Sequence, residues 1–280
     1  MTELHEKYDT LLSLLRSFGG AAVAFSAGVD STFLLFAARQ ALGDRVLAVT
    51  AQASCFPERD MRQAESFCTS SGTKHLFLDF DVLNVPGFRE NPPDRCYRCK
   101  RALFEKIVSV SAERGFPVVA EGTNADDAGD YRPGMRAIAE LGVRSPLRET
   151  GLTKAEIRAL SREFGLSSWN KPSAACLASR FVYGERITEQ KLRSVGRAEA
   201  LLSDFGVGTV RVRVHGTLAR IETSSDDVAR LAEPAVREKI VSAFGTLGFD
   251  YVTLDLLGYR TGSMNKTLPG NETEPAERDV

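Results

Sequence analysis

Leu4, Tyr8, Leu11, Leu12, Leu15 and Phe18 recur at helical spacing and Gly19-Gly20 ends the run, so the chain is expected to open with an amphipathic helix. The rhythm then changes to short apolar runs alternating with longer amphipathic ones. Residues 21–25, 45–51, 74–80 and 116–121 read as strands, and residues 31–42, 57–71, 99–114 and 153–164 as helices. Gly72 stops the second of these helices. Thr153, with Glu156 three positions on, opens the last as a capping box. Residues 84–94 hold three prolines and a glycine and read as a loop. Strands alternating with helices predict an α/β fold, a parallel sheet covered on both faces. Such sheets bind ligands at the carboxyl ends of their strands. The turn after Phe25, the loop after Thr50 and residues 122–130 all leave from those ends.

Near Tyr183-Gly184 the character shifts. A helix over 189–205 leads to residues 209–215, where Val210, Val212 and Val214 alternate with Arg211, Arg213 and His215. A strand at 219–223, helices at 225–232 and 234–247, and a strand at 251–257 complete a smaller α+β domain. The expected organisation is one domain over 1–183, a second over 184–266, and a disordered tail over 267–280, which has two prolines, no aromatic residue and more acid than base.

Composition narrows the function classes. The chain has 280 residues, 43% hydrophobic and 26% charged, with a net charge of −1. That balance argues against bulk nucleic-acid binding. The start, Met1-Thr2-Glu3-Leu4-His5-Glu6-Lys7, is too charged for a secretory signal, and no apolar run is long enough to span a bilayer, so a cytoplasmic protein without membrane contact is expected. Five cysteines in such a chain lean toward metal binding or catalysis rather than disulfides.

The turn Phe25-Ser26-Ala27-Gly28-Val29-Asp30-Ser31 stands between a strand and a helix. Its backbone N–H groups, the hydroxyls of Ser26 and Ser31 and the helix dipole converge on a point suited to phosphate. No Gly-Lys-Ser/Thr follows, so it is not a Walker A loop. Asp30 is an acid in an anion site, which a bridging Mg²⁺ would reconcile; it could also cap the following helix. Gly122, Thr123, Asn124, Asp126 and Asp127 follow the fourth strand, where adjacent carboxylates suit a metal or nucleotide but also an ordinary solvated turn. Cys96 and Cys99 form a C-x-x-C pair, but no nearby pair completes four ligands for zinc. Cys176 lies between Lys171 and Arg180, whose positive charge would favour thiolate; burial as a small apolar residue is the competing fate. Arg211 and Arg213 share one strand face and could fork onto phosphate or lie solvated on an outer sheet.

The turn at Ser26–Ser31 resembles the pyrophosphate loop, Ser-Gly-Gly-x-Asp-Ser, of enzymes that cleave ATP to AMP and pyrophosphate. Ala27 replaces the first glycine, a change tolerable if its φ is negative. Together with Glu121-Gly122-Thr123-Asn124-Ala125-Asp126-Asp127, Asp130-Tyr131-Arg132-Pro133-Gly134, Ser145-Pro146-Leu147, Gly258-Tyr259-Arg260-Thr261-Gly262-Ser263-Met264-Asn265 and above all Lys171-Pro172-Ser173-Ala174-Ala175-Cys176-Leu177-Ala178-Ser179-Arg180, the chain resembles the LarE family over about residues 1 to 266. The resemblance implies an adenine nucleotide alpha-hydrolase-like sheet and an ATP-dependent sulfur transferase. Its substrate would be the pyridinium-3,5-biscarboxylic acid mononucleotide, and its product would lead to the nickel-pincer nucleotide cofactor.

It further implies ATP and Mg²⁺ at Ser26, Gly28, Asp30, Ser31, Thr50, Gly122, Asn124 and Asp126. Substrate contacts would come from Tyr97, Glu199, Arg211 and Arg213, and Arg180 would steady charge beside Cys176. Two sulfur sources exist in such a family. Either Cys176 gives up its own sulfur and the enzyme is spent, or Cys96, Cys99 and Cys176 hold a [4Fe-4S] cluster that carries sulfide. Three cysteines match the second arithmetic, which is favoured here. A tRNA-thiolating enzyme of the same superfamily is the alternative function. A homo-oligomer, and a partner supplying sulfide or further cofactor-biosynthesis steps, are also expected.

Overall fold

The computed structural model describes residues 3–129, 133–172, 175–260 and 263. They fall into two units, residues 1–85 with 94–174 and residues 86–93 with 175–280.

The first unit holds strands β1 (Ala21–Ala24), β2 (Val46–Gln52), β3 (Lys74–Asp79) and β4 (Val118–Ala120), all parallel, in the order β3-β2-β1-β4. Helices α1 (Glu3–Ser17), α2 (Val29–Leu42), α3 (Glu58–Ser71), α4 (Arg95–Glu113), α5 (Pro133–Glu140), α6 (Pro146–Glu149) and α7 (Lys154–Glu163) connect and cover them. This is the expected α/β fold, a parallel sheet with helices. Central β1 is built from small residues, with Ala21, Ala22 and Val23 fully buried, and α2 is apolar nearly all round because it is buried on several sides. Leu11, Leu15, Phe33, Leu34, Leu35, Leu147, Leu152 and Ile157 form the core around it. Tyr8 packs against Phe33 and Phe164, with ring centroids 5.8 and 4.9 Å away, and its hydroxyl donates to Gln40 Oε1.

The chain leaves β1 toward β2 and β3 on one side and reaches β4 on the other. The strand order therefore reverses between β1 and β4, and ligands of such sheets bind outside the carboxyl ends of the strands at that point. The capping box at Thr153 is present with both reciprocal bonds. Helix α4 begins at Arg95, four residues before the expected start, so Cys96 and Cys99 both lie on it. The short helices α5 and α6 were not anticipated; eight and four residues give too few periodic positions to show a face.

In the second unit α8 (Glu189–Asp204) packs against β5 (Arg211–His215), which pairs antiparallel with β6 (Leu218–Glu222). Helices α9 (Ser225–Ala232) and α10 (Pro234–Thr246) carry the chain to β7 (Tyr251–Leu254), parallel to β6, giving the sheet β5-β6-β7. The unit begins at 175 rather than at the expected 184, because Arg180 bonds to Glu199 on α8 and Phe181 forms a bridge with Val214. Residues 86–93 belong with it because Asn91 Nδ2 donates to the carbonyls of Phe181 and Val182, at 3.4 and 2.7 Å. The tail at 267–280 lies outside the described residues.

Cys55 and Cys68 are buried, and burial pushes the Cys68 thiol up to about 12. Among the described residues no helix is long and apolar enough to cross a membrane.

Candidate functional site

In the first unit, the turn after β1 folds around two hydroxyls. Ser26 N–H donates to Ser31 Oγ at 3.3 Å, the Ser26 and Ser31 hydroxyls lie 3.1 Å apart, and Ser31 Oγ also donates to the carbonyl of Gly28. Gly28 is the N-cap of α2 and so offers no side-chain acceptor to the first turn of that helix. The first N–H groups of a helix lack intrahelical acceptors, so this end presents donors and positive dipole. Ala27 has a φ of +53°, contrary to the negative φ that alanine was expected to need there. Lys171 Nζ donates to Ala27 O at 2.9 Å, to Asp60 Oδ1 at 2.9 Å and to Gln63 Oε1 at 2.5 Å. Lys171, noted in the sequence for its charge beside Cys176, thus grips the loop.

Asp30 does not cap α2. Its carboxylate accepts from Lys154 Nζ at 2.5 Å and from Asn124 Nδ2 at 3.5 Å. Lys154 is the first residue of α7, and its backbone N–H donates to Asp126 Oδ2 at 2.8 Å. Asn124 Oδ1 accepts from Asp126 N–H, and Asp127 Oδ2 from Asn124 N–H. Beneath them the buried Glu121 accepts from the N–H and hydroxyl of Thr123 and from Ser145 Oγ, which sets the course of the strand end. Gly122 is packed against the start of α2, where an added Cβ would come 3.0 Å from Ser31 N. Thr50 is buried, and its hydroxyl donates to Phe25 O and meets His75 Nε2 at 2.8 Å, tying β2 to the end of β1.

Lys154, Lys171 and Glu121 were missed as members of this arrangement. Lys154 follows the capping threonine directly, and that place at a helix start was the available signal.

On α4, Cys96 is exposed and Cys99 half-buried, three residues apart and so on one helix face. Arg95 Nη2 approaches Cys96 Sγ at 3.6 Å. Tyr97, expected to contact the substrate, carries the Arg136 guanidinium over its ring at 4.3 Å and donates its hydroxyl to Glu140 Oε2 at 2.6 Å.

In the second unit, Cys176 precedes a short turn of helix over Leu177–Arg180. Arg180, 2% exposed, holds Glu199 with two hydrogen bonds of 2.8 and 2.9 Å and donates to the carbonyls of Ala175 and Cys176. Burial works against its charge, but the bonds and charge of Glu199, with Cys176 and Tyr259 adding, keep its pKa above the ordinary value. Glu199 also accepts from Val212 N–H, so it is engaged inside the unit. Arg213 donates to fully buried Glu222 at 2.9 Å, to Ser179 O at 3.0 Å and to Ser263 Oγ at 3.1 Å. Arg211 donates to Val210 O and lies over the Tyr259 ring at 5.2 Å; burial and then Arg180 lower its pKa. The alternation in β5 therefore does not produce a solvated face, since residues 211–214 are all buried.

Within neither unit do the described residues gather three His, Cys, Asp or Glu side chains into a metal-binding group. Cys96 and Cys99 belong to the first unit and Cys176 to the second. Asp130, Tyr131, Arg132, Ser173, Ala174, Thr261, Gly262, Met264 and Asn265 of the quoted motifs lie outside the described residues.

No family model matches the chain. It is 38% identical over 265 residues, 95% of its length and 99% of the relative's, to an uncharacterized protein of Synechocystis. It is 37% identical over 270 residues, 96% of its length and 97% of the relative's, to the pyridinium-3,5-bisthiocarboxylic acid mononucleotide synthase of Lactiplantibacillus plantarum. Over 202 residues, 66% of the chain and 64% of the relative, it is 28% identical to a component of the glutamine-hydrolyzing GMP synthase of Thermoplasma acidophilum.

Proposed function

The chain belongs to the LarE family, the pyridinium-3,5-bisthiocarboxylic acid mononucleotide synthases, and from that premise we propose that it is an ATP-dependent sulfur transferase. Its substrate is the pyridinium-3,5-biscarboxylic acid mononucleotide, and it serves nickel-pincer nucleotide biosynthesis. The observation that carries this reading is the 37% identity running the length of both chains to a synthase of that name.

The first-unit site suits adenylation. Its glycine N-cap, paired serines and open start of α2 supply donors to phosphate oxygens without a bulky side chain in the way. The donor set fits a magnesium ion as well, since Asp30 brings one carboxylate to that point and Mg²⁺ is commonly held by one or two carboxylates plus phosphates. Bound there, Mg²⁺ neutralises charge on the phosphates. Lys154 adds a second cation, and on nucleotide binding its ammonium can leave Asp30 for a phosphate oxygen. The substrate carboxylate attacks the α-phosphorus, pyrophosphate leaves and an acyl adenylate results. A sulfur nucleophile then attacks the acyl carbon and displaces AMP.

Cys96, Cys99 and Cys176 are the thiolates that would hold a [4Fe-4S] cluster, and three thiolates leave one iron for sulfide. When bound, the cluster supplies the sulfur. Arg180 fixes the backbone carbonyl of Cys176 and Glu199 fixes Arg180, so the pair acts by positioning.

The test is made without oxygen on protein reconstituted with iron and sulfide, given ATP, Mg²⁺ and the dicarboxylate. Pyrophosphate and AMP should appear only with that substrate, and the product should show oxygen replaced by sulfur over repeated turnovers. A single turnover, with dehydroalanine left at position 176, would transfer the sulfur role to Cys176 itself. Absence of substrate-dependent pyrophosphate would overturn the reading.

A further inference from the structure

Ala27 and Asn91 are the non-glycine residues with positive φ among those described, both at +53°. Asparagine reaches that region readily, whereas for alanine it is disfavoured roughly tenfold. Such a backbone persists only when its surroundings over-determine it. The Ser31 hydroxyl holds the flanking Ser26 and Gly28, and the side chain that bonds Ala27 itself is Lys171. Lys171 Nζ donates to Ala27 O and is anchored by Asp60 and Gln63, neighbours three residues apart on α3. The Lys171 and Asp60 side chains are only 15% and 13% exposed, so water competes little for these bonds. A trans peptide is planar and its C=O and N–H point to opposite sides. Fixing Ala27 O on Lys171 therefore fixes the direction of Gly28 N–H, at the N-cap of α2.

We propose that Lys171 is a positioning residue of the phosphate loop. Its ammonium locks the Ala27–Gly28 peptide in the phosphate-binding orientation, doing by external bonds what glycine at position 27 would do by its own freedom. The proposal deepens the ATP-site reading and rests on it for the identity of the ligand, but the lock itself is a property of the ligand-free chain.

A double-mutant cycle separates this role from direct attraction of phosphate by the lysine charge. Four proteins are compared: wild type, Lys171→Met, Ala27→Gly, and both together. ATP affinity with Mg²⁺ is measured by calorimetry, and amide hydrogen exchange over residues 24–33 is measured without ligand. With the lock gone, only about one loop in ten keeps the competent shape, so Lys171→Met should weaken ATP binding about tenfold and speed exchange. Ala27→Gly alone should change affinity less than about threefold, because the locked loop is already populated. In the double variant the loss should shrink to about two- to threefold.

Asp60→Asn, which keeps the lysine and loosens its anchor, should give a smaller loss that Ala27→Gly also rescues; it serves if Lys171→Met folds poorly. An equal loss in both backgrounds would overturn the proposal in favour of a direct charge effect, and unchanged exchange with unchanged affinity would overturn it outright. If wild type binds no ATP, the adenylation reading falls, and loop exchange in Lys171→Met against wild type still judges the lock.

Discussion

Around Ser26–Ser31 the loop's own bonds run between hydroxyls, N–H groups and carbonyls a few residues apart, and Lys154 and Lys171 reach it from 124 and 144 positions away. Around β5 the working groups are long and charged: Arg180, Arg213 and Glu222 are 2%, 5% and 0% exposed and bond to residues 19, 9 and 41 positions away. The first arrangement is built from part-buried contacts at the start of α2. The second turns its charges on one another, and each depends on its partner to remain tolerable in the interior. Chemistry is therefore expected to depend on the first region and stability on the second, and substitutions can separate them.

The largest effect is expected at Glu222. It accepts from Arg213, Arg220 and Ser263, so Glu222→Gln removes the buried carboxylate that two guanidiniums share and should destabilise the second unit by about 3–5 kcal/mol. Urea unfolding followed by circular dichroism should show the loss, while fluorescence of the single tryptophan, Trp169 of the first unit, should shift less. Equal shifts would mean that the two units unfold as one and would erase the contrast.

Asp30→Asn is the opposite case. It should lower substrate-dependent pyrophosphate release by about 10²-fold, yet move the urea midpoint by no more than about 0.5 kcal/mol, because the Lys154 partnership is part-exposed. A stability loss as large as that of Glu222→Gln would show that the loop also carries the fold.

A smaller effect comes from His75, which meets the Thr50 hydroxyl. Burial, partly offset by Glu65, lowers its pKa below the ordinary 6.5. The unfolded chain therefore binds the proton first. The stability this residue contributes is present above 6.5 and is lost as pH falls from there toward the folded value, at under about 1.4 kcal/mol per pH unit. His75→Gln should flatten the dependence of the melting temperature on pH in that window; an unchanged slope would assign it to another group.

The same contrast explains what could be read from the chain. The β1–loop–α2 turn and the Thr153 cap depend on residues close in sequence, and both were legible, as was the parallel sheet from the alternation of strands and helices. Lys171 was assigned to Cys176 because they are five residues apart, whereas its ammonium is used 144 positions away at Ala27. For Arg211 and Arg213, read as candidates for phosphate with a solvated outer sheet as the competing fate, alternation marks faces but not which face is covered; α8 and the turn at 177–180 pack against β5. Tyr97 was expected to contact the substrate, and Arg136 from a helix too short to foresee lies over its ring. Long-range partners, rather than local propensity, account for each difference.

The sulfur atoms also divide into two populations. Cys55 and Cys68 are sealed in the interior, and the Cys68 thiol keeps its proton up to about 12, whereas Cys96, Cys99 and Cys176 all retain access to solvent. Toward an alkylating reagent or an iron donor, the folded chain behaves as a three-thiol molecule and the unfolded chain as a five-thiol one. The fold itself thus selects which sulfurs take part in chemistry, and it withholds the other two from miscoordination and oxidation.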